Sequence, residues 1–180
     1  MPETQSDSLH LISLLLQYPD EDFFSRLDDF ASIANRSCAS EIRPAILGYL
    51  KDLGKLTPIQ AQERYTAVFD MQPATSLNVT YHLHGDNEKR ATALARLQHG
   101  YEMAGWERIT GELPDYLPMM LEFLSICSDP EHTQFVWQCL QGLQPLVKRL
   151  GESAPVYANL LQPVYRMAVN HGQLPTEVTA

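Results

Sequence analysis

Apolar residues recur at the spacing of an α-helix through most of the chain. Two clear stripes are Phe23, Leu27, Phe30 and Ala34, and, behind a Thr57-Pro58-Ile59-Gln60 capping box, Ala61, Tyr65, Val68 and Phe69. Residues three or four apart share one face of a helix, so each stripe predicts an amphipathic helix with one buried side. Start and stop signals predict further helices at 9–16 (capped by Ser8), 44–53, 87–103, 115–127, 130–150 and 153–170.

The stretch 77–84 has a different pattern. Leu77, Val79, Tyr81 and Leu83 alternate with polar residues, which is typical of a half-buried strand. No other part of the chain offers a convincing partner strand, and a lone strand leaves its backbone groups unpaired. We therefore interpret this stretch as a helix capped by Ser76.

These elements predict an all-α fold. The 180 residues suit one domain with a sizeable core. We expect a single-domain bundle of about eight or nine helices over residues 1–170, with bends at Pro145 and Pro163, followed by a polar tail at 171–180.

A short elbow, Glu112-Leu113-Pro114-Asp115-Tyr116-Leu117-Pro118, precedes the apolar helix 115–127. Its two prolines restrict the backbone, and Asp115 is suited to cap the helix that follows. One interpretation is a capped turn between helices. The other is a rigid acidic and aromatic lip on a binding groove.

Net charge and cysteine content limit the kinds of binding partner and the cellular compartment that we expect. A net charge of −9 argues against nucleic acid and anionic membrane surfaces as partners, and favours a basic protein segment. The N-terminus lacks the basic region of a signal peptide, and no apolar run is long enough to cross a bilayer. Three widely spaced cysteines fit free thiols in a reducing compartment, so we expect a cytoplasmic protein.

Catalytic motifs for phosphate, dinucleotide, zinc-protease or serine-hydrolase chemistry do not occur in the sequence. His82 and His84 are two apart, so on a helix they do not share a face suited to a metal. Cys127 and Cys139 lie in apolar runs, where cysteine usually packs as a small hydrophobe. An enzyme with a carboxylate or Cys–His site remains an alternative, which predicts a bound metal or a strongly shifted titrating group.

Several segments, in order and spacing, resemble the nitrate reductase delta-subunit (NarJ-type) assembly chaperones. They are Tyr65-Thr66-Ala67-Val68-Phe69-Asp70, Ser76-Leu77, Tyr81-His82, Gly85-Asp86, Arg90, Leu94, Leu97, Tyr101, Gly105, the elbow 112–118, and Leu121-Glu122-Phe123-Leu124. The resemblance covers roughly residues 9–165. One departure is Tyr116, where the family usually has histidine, because tyrosine does not become charged near neutral pH.

The resemblance implies a chaperone with no catalytic activity and no stably bound cofactor. Its implied partner is the apo catalytic (alpha) subunit of a respiratory nitrate reductase, bound in part through a basic N-terminal segment. The implied task is to keep that subunit competent for insertion of molybdopterin guanine dinucleotide and an iron–sulfur cluster before membrane docking, without joining the final enzyme. Alternatives are a permanent non-catalytic subunit of a redox complex, or a chaperone for a related molybdoenzyme.

The residues expected to bind the partner peptide are those of the aromatic and acidic segments: Tyr65, Phe69, Asp70, Tyr81, His82, Glu112, Asp115, Tyr116, Leu117, Glu122 and Phe123. Exposed ion pairs contribute only about 0.2–1 kcal/mol each, so the groove is expected to be mainly apolar, with Glu112, Asp115 and Glu122 steering the peptide. We expect Asp115→Ala and Tyr116→Ala to weaken peptide binding while leaving the helical fold largely intact.

Overall fold

The computed structural model describes residues 1–107 and 111–171. Within these ranges the chain forms eleven α-helices: α1 Glu3–Leu15, α2 Glu21–Ser25, α3 Leu27–Ser37, α4 Arg43–Leu53, α5 Pro58–Tyr65, α6 Val79–His84, α7 Glu88–Met103, α8 Leu117–Ile126, α9 Pro130–Cys139, α10 Leu143–Ser153 and α11 Pro155–His171. A π-helical turn, Thr66–Asp70, continues α5, and 3-10 turns occupy Pro73–Thr75 and Leu140–Gly142. The all-α prediction is confirmed. Of the predicted tail, residues 172–180 lie outside the described part, and the extent of the domain stays a prediction.

Helices α1 and α8 form the centre of the core. They pack along each other, while α11 packs against α4, α9 and α10. Leu9, Ile12 and Leu15 of α1 are fully buried, and α8 is buried on nearly every side from Leu117 to Leu124. A helix that is apolar all round is expected in this position, because it has no face for solvent.

The first two predicted helices differ in their bounds. Helix α1 begins at Glu3, and Ser8 is not its cap but a buried residue inside it, which donates to the Thr4 carbonyl (2.7 Å) and accepts from the Ala39 N–H (2.9 Å). The single helix expected after Asp20 is interrupted at Arg26, giving α2 and α3. The capping box at Thr57 and Gln60 is present as predicted.

The ambiguous stretch 77–84 contains both an extended and a helical part. Helix α6 begins after Asn78, not after Ser76, and Asn78 forms an isolated antiparallel bridge with Tyr116. The Leu117 N–H donates to the Leu77 carbonyl (2.8 Å), and the Val79 N–H donates to the Asp115 carbonyl (3.0 Å). The extended residues at the start of this stretch therefore pair with the elbow 112–118, which the sequence does not mark as a strand.

The long apolar run 130–150 is split, as its internal proline predicted. The interruption is the 3-10 turn Leu140–Gly142, upstream of Pro145, which lies in the first turn of α10. First-turn N–H groups have no partner within their own helix, so a proline is tolerated there. Helix α10 continues to Ser153, beyond the predicted stop, and Pro163 lies inside α11.

Candidate functional site

An open cleft of about 430 Å³ lies where the π-turn, the following 3-10 turn, α6 and α7 meet. It is lined by Phe69, Asp70, Pro73, Ser76, Asn78, Tyr81 and Arg90. Three of these residues, Phe69, Asp70 and Tyr81, were predicted as site residues from the sequence. The cleft joins an aromatic wall to polar groups of both charge signs, which suits a binding role.

The carboxylate of Asp115 lies behind this cleft and is completely buried. One oxygen accepts from the Asn78 side-chain amide (3.1 Å), and the other accepts from the Thr80 hydroxyl (2.6 Å) and the Thr80 N–H (3.2 Å). The second oxygen is also 3.7 Å from an Arg90 guanidinium nitrogen. Asp115 thus accepts a hydrogen bond from an N–H group in the first turn of α6, and not from one in α8. It also contacts Asn78 and Arg90, two residues that line the cleft.

Two expectations about Asp115 need correction. It does not cap the helix that follows it, since Tyr116 is the N-cap residue of α8 and makes no side-chain capping bond. It is also not at an exposed rim, because a fully buried carboxylate has no surface to offer a peptide. Its contribution to a binding site is to position Asn78 and Arg90.

Tyr116 belongs to an aromatic network next to the cleft. Its hydroxyl lies 3.4 Å from that of Tyr65, which donates to the Leu16 carbonyl (3.0 Å). The ring of Phe69 lies 5.0 Å from that of Tyr65 and 4.7 Å from that of Tyr157. Burial raises the pKa of both Tyr65 and Tyr116, so each keeps a neutral hydroxyl.

His82 connects α6 to α10 and to the 3-10 turn. Its Nε2 lies 2.8 Å from the Ser76 carbonyl, and an Arg149 guanidinium N–H donates to its Nδ1 (3.3 Å). Nδ1 must therefore be the hydrogen-bond acceptor for Arg149, and Nε2 must carry the proton that is donated to the Ser76 carbonyl. This arrangement requires the neutral imidazole, protonated at Nε2. Burial lowers the pKa of His82, and the nearby Arg149 adds to this effect.

This lowered pKa predicts a pH-dependent stability. The unfolded chain binds a proton at His82 more readily than the folded chain, so the histidine's contribution is complete above its unfolded pKa of about 6.5 and is lost as the pH falls through the folded value. We expect the difference in free energy of unfolding between wild type and His82→Gln to shrink from pH 7.5 to pH 5.5. Urea titrations at several pH values test this, and a difference independent of pH would contradict it.

The remaining predicted site residues do not join the cleft. Phe123 packs with Tyr101 (4.8 Å) and Trp106 (5.4 Å) in the core, and Leu117 is fully buried. Glu112 and Glu122 are exposed, but neither lines the cleft. Sequence reasoning missed Asn78, Thr80 and Arg90 as site residues. Arg90 had been noticed as part of the resemblance, whereas Thr80 gave no signal.

A second surface lies beside the π-turn, on the outer side of α5. It is a shallow cleft of about 470 Å³ lined by Tyr18, Ile59, Gln62, Glu63, Thr66, Ala67 and Met71, and we call it the α5 patch. Tyr18, Ile59 and Met71 are 48%, 67% and 72% exposed. Large apolar side chains clustered and exposed in this way commonly mark an interaction surface.

Other chemistry is limited in the part of the chain that is described. No group of three or more histidine, cysteine or acidic side chains there is arranged to hold a metal ion. None of the described helices has both the length and the apolar character to cross a membrane. All three cysteines are free, and burial raises the pKa of the Cys139 thiol to about 12, which disfavours the thiolate form that a nucleophile needs.

Solved structures contain a similar all-α fold. A putative redox enzyme maturation protein from Archaeoglobus fulgidus superposes with a TM-score of 0.61 over 90% of this chain and 92% of its own, at 22% identity. This likeness concerns the fold alone.

Sequence comparison identifies the family. The family model described as nitrate reductase delta subunit matches residues 35–147. The chain is 30% identical over 161 residues to a probable nitrate reductase molybdenum cofactor assembly chaperone, NarJ, of Bacillus subtilis, covering 89% of this chain and 88% of the relative. It is 32% identical over 162 residues to the Escherichia coli K12 chaperone of that name, covering 89% and 69%.

The chain therefore belongs to the nitrate reductase delta-subunit family, which confirms the resemblance inferred from its motifs. The family is one of maturation chaperones and not of catalysts. Membership supports a chaperone role and confirms the expectation that the chain is not an enzyme.

Proposed function

We propose that this protein is the assembly chaperone of a respiratory nitrate reductase, acting in the cytoplasm on the immature catalytic subunit. It binds that subunit's basic N-terminal segment and keeps the apoprotein competent for insertion of the iron–sulfur cluster and molybdopterin guanine dinucleotide. It holds no cofactor stably itself, and it leaves before the enzyme docks on the membrane. The observation that carries this proposal is the match to named assembly chaperones over most of the chain.

Two neighbouring surfaces support binding of an amphipathic segment. The cleft offers the exposed carboxylate of Asp70 beside the half-buried ring of Tyr81, with Phe69 buried at its wall, and the α5 patch offers exposed apolar side chains with Glu63 among them. Both surfaces include residues of the π-turn, and we propose that one amphipathic peptide contacts both. A net charge of −9 favours a basic ligand.

Typical free energies of apolar burial and of exposed ion pairs indicate that the apolar contacts contribute most of the affinity. A micromolar complex needs about 8 kcal/mol. Burying each large apolar side chain contributes about 1.5–3 kcal/mol, against about 0.2–1 kcal/mol for an exposed ion pair. Tyr18, Ile59 and Met71 therefore provide most of the binding energy, while Asp70, Glu112 and Glu122 steer the peptide. The site is shaped and supported by a set of neighbouring side chains: Tyr65, Tyr81, His82, Asp115, Tyr116, Leu117 and Phe123.

The test is calorimetric titration of the full chain with synthetic peptides that carry the N-terminal segments of candidate nitrate reductase catalytic subunits. We expect saturable binding to one of them, weakened but not abolished by salt. Binding to none of the peptides would refute the proposed recognition. Stoichiometric co-purification with the mature enzyme would instead show a permanent subunit.

The α5 patch yields a specific prediction. The double variant Ile59→Gln, Met71→Gln is expected to raise the dissociation constant for the N-terminal peptide by more than about tenfold, because each lost apolar contact approaches the 1.4 kcal/mol that corresponds to a factor of ten.

Met103 and Ile126 provide the matched control for that variant. Each is 62% exposed and outside both surfaces. Met103→Gln, Ile126→Gln should therefore leave the calorimetric affinity unchanged. Equal affinities for the two double variants would remove the α5 patch from the binding surface.

A further inference from the structure

The π-turn Thr66–Asp70 carries two residues of the cleft, and its geometry is unusual. The Met71 N–H donates to the Thr66 carbonyl (3.0 Å), five residues earlier instead of the four of an α-helix. A turn of this kind accommodates one more residue than an α-helical turn. Each residue of an α-helix advances about 100° around the axis, so the side chains after the turn point in a different direction from the one α5 alone would give them.

One carbonyl of this turn lacks its regular backbone partner. The π-helical partner of the Val68 carbonyl would be the N–H of residue 73, but residue 73 is proline and has no N–H. The Thr75 hydroxyl donates to the Val68 carbonyl in its place. Thr75 is almost completely buried, at 4% exposure, and Val68 is half-buried.

Neighbouring contacts fix the position of Thr75. The Arg149 guanidinium donates to the Ala74 carbonyl (3.1 Å), and the Ser76 carbonyl accepts from His82 (2.8 Å). Consecutive residues 74–76 are thus held from α10 and α6 while Thr75 reaches back to the π-turn. The Thr75 side chain thus links the 3-10 segment to the π-turn, and the side-chain amide of Gln72 also donates to the Ala67 carbonyl of that turn (3.4 Å).

We propose that Thr75 is a positioning residue of the peptide site. Its hydroxyl maintains the π-turn by satisfying the carbonyl that Pro73 leaves without a backbone donor, and the π-turn places the exposed Asp70 in the cleft with the buried Phe69 at its wall. The inference rests on the proposed function, because the ligand whose affinity it controls is the N-terminal segment of the catalytic subunit.

Removing the hydroxyl is expected to shift the turn toward other arrangements. An unpartnered carbonyl in this half-buried setting is costly, so the chain gains by adopting a register in which the carbonyl finds another donor. If about one molecule in ten keeps the binding-competent turn, the apparent dissociation constant rises about tenfold. Thr75→Val removes the hydroxyl and keeps the branched shape, whereas Thr75→Ser keeps the hydroxyl.

The experiment is calorimetric titration of the full chain with the N-terminal peptide that binds wild type. We expect Thr75→Val to weaken binding about tenfold and Thr75→Ser to bind within about threefold of wild type. Thr133→Val is the matched control. Thr133 is 6% exposed, and its hydroxyl donates to the Asp129 carbonyl (2.9 Å) in α9, away from the cleft.

A second measurement separates positioning from general stability. Hydrogen exchange over residues 66–76 should accelerate in Thr75→Val while exchange in α1 and α8 stays as in wild type. Wild-type affinity in Thr75→Val, or an equal loss in Thr133→Val, would overturn the inference. If Thr75→Val does not fold, Thr75→Ala makes the same comparison without the branched methyl groups. Absence of peptide binding by wild type would refute the proposed function instead.

Discussion

Asp115→Ala is expected to lower the free energy of unfolding by about 3–5 kcal/mol, the range typical of a buried charge pair that loses one partner. The wild-type carboxylate accepts three hydrogen bonds from Asn78 and Thr80 and lies 3.7 Å from Arg90. Its removal leaves the buried Thr80 hydroxyl and an N–H of the first α6 turn without their acceptor. It also removes one of the two carboxylates that lie 3.7 Å from the Arg90 guanidinium, the other being that of Asp86. Urea denaturation should show a lower midpoint with an unchanged slope.

The matched control for that variant is Asp70→Ala. Asp70 is an acid of the same cleft, but its side chain is exposed. Its replacement should change stability by less than about 0.5 kcal/mol. Similar small effects at both positions would show that the buried carboxylate is dispensable. The sequence alone predicts that Asp115→Ala leaves the fold largely intact, and the buried, hydrogen-bonded carboxylate replaces that expectation with one of destabilisation. Weaker peptide binding by this variant would therefore not demonstrate a direct contact.

Helix type and order were predictable because they depend on local spacing and on caps. The capping box at Thr57 and the break in the run 130–150 each arise from residues close together in the chain. The bounds were less predictable. Ser8 has the chemistry of a cap, but its hydroxyl instead bonds the Ala39 N–H, 31 residues away, which no local pattern indicates.

The residues of the candidate site were predictable where they belong to local sequence motifs. The aromatic and acidic motifs identified Phe69, Asp70 and Tyr81, which line the cleft. The orientation of Asp115 was not predictable, because the N-terminus that it satisfies belongs to α6, 35 residues earlier, and not to the adjacent α8. The strand-like alternation at 77–84 was also real in part, since Asn78 pairs with Tyr116. Its partner was a single residue of a proline-containing turn, which does not have the sequence pattern of a strand.

The surroundings of Tyr116 suit a hydroxyl. The group lies 3.4 Å from the Tyr65 hydroxyl, and burial raises its pKa. A tyrosine here keeps an aromatic ring and a hydrogen-bonding tip at all pH values near neutrality. This position therefore carries no group that becomes charged near neutral pH.

Gly142→Ala is expected to destabilise the fold by about 1–3 kcal/mol, the usual cost of overpacking a core. A methyl group at this position would lie 2.6 Å from the Val79 carbonyl oxygen and 3.0 Å from side-chain atoms of Val79 and Leu83. The closest of these atoms belongs to the backbone of α6, so rotation of a side chain does not relieve the clash. Helix α6 must move away from the turn at 140–142, which also disturbs the first turn that Asp115 satisfies.

Gly48 and Gly100 supply the matched controls, because a methyl group added at either position meets no atom within 4 Å. Both lie inside helices, α4 and α7, where alanine is favoured over glycine by roughly 0.5–1 kcal/mol. Thermal or urea unfolding should therefore show Gly142→Ala less stable than wild type, and Gly48→Ala and Gly100→Ala equal to it or more stable. A stabilised Gly142→Ala would show that α6 and the 140–142 turn are not in close contact.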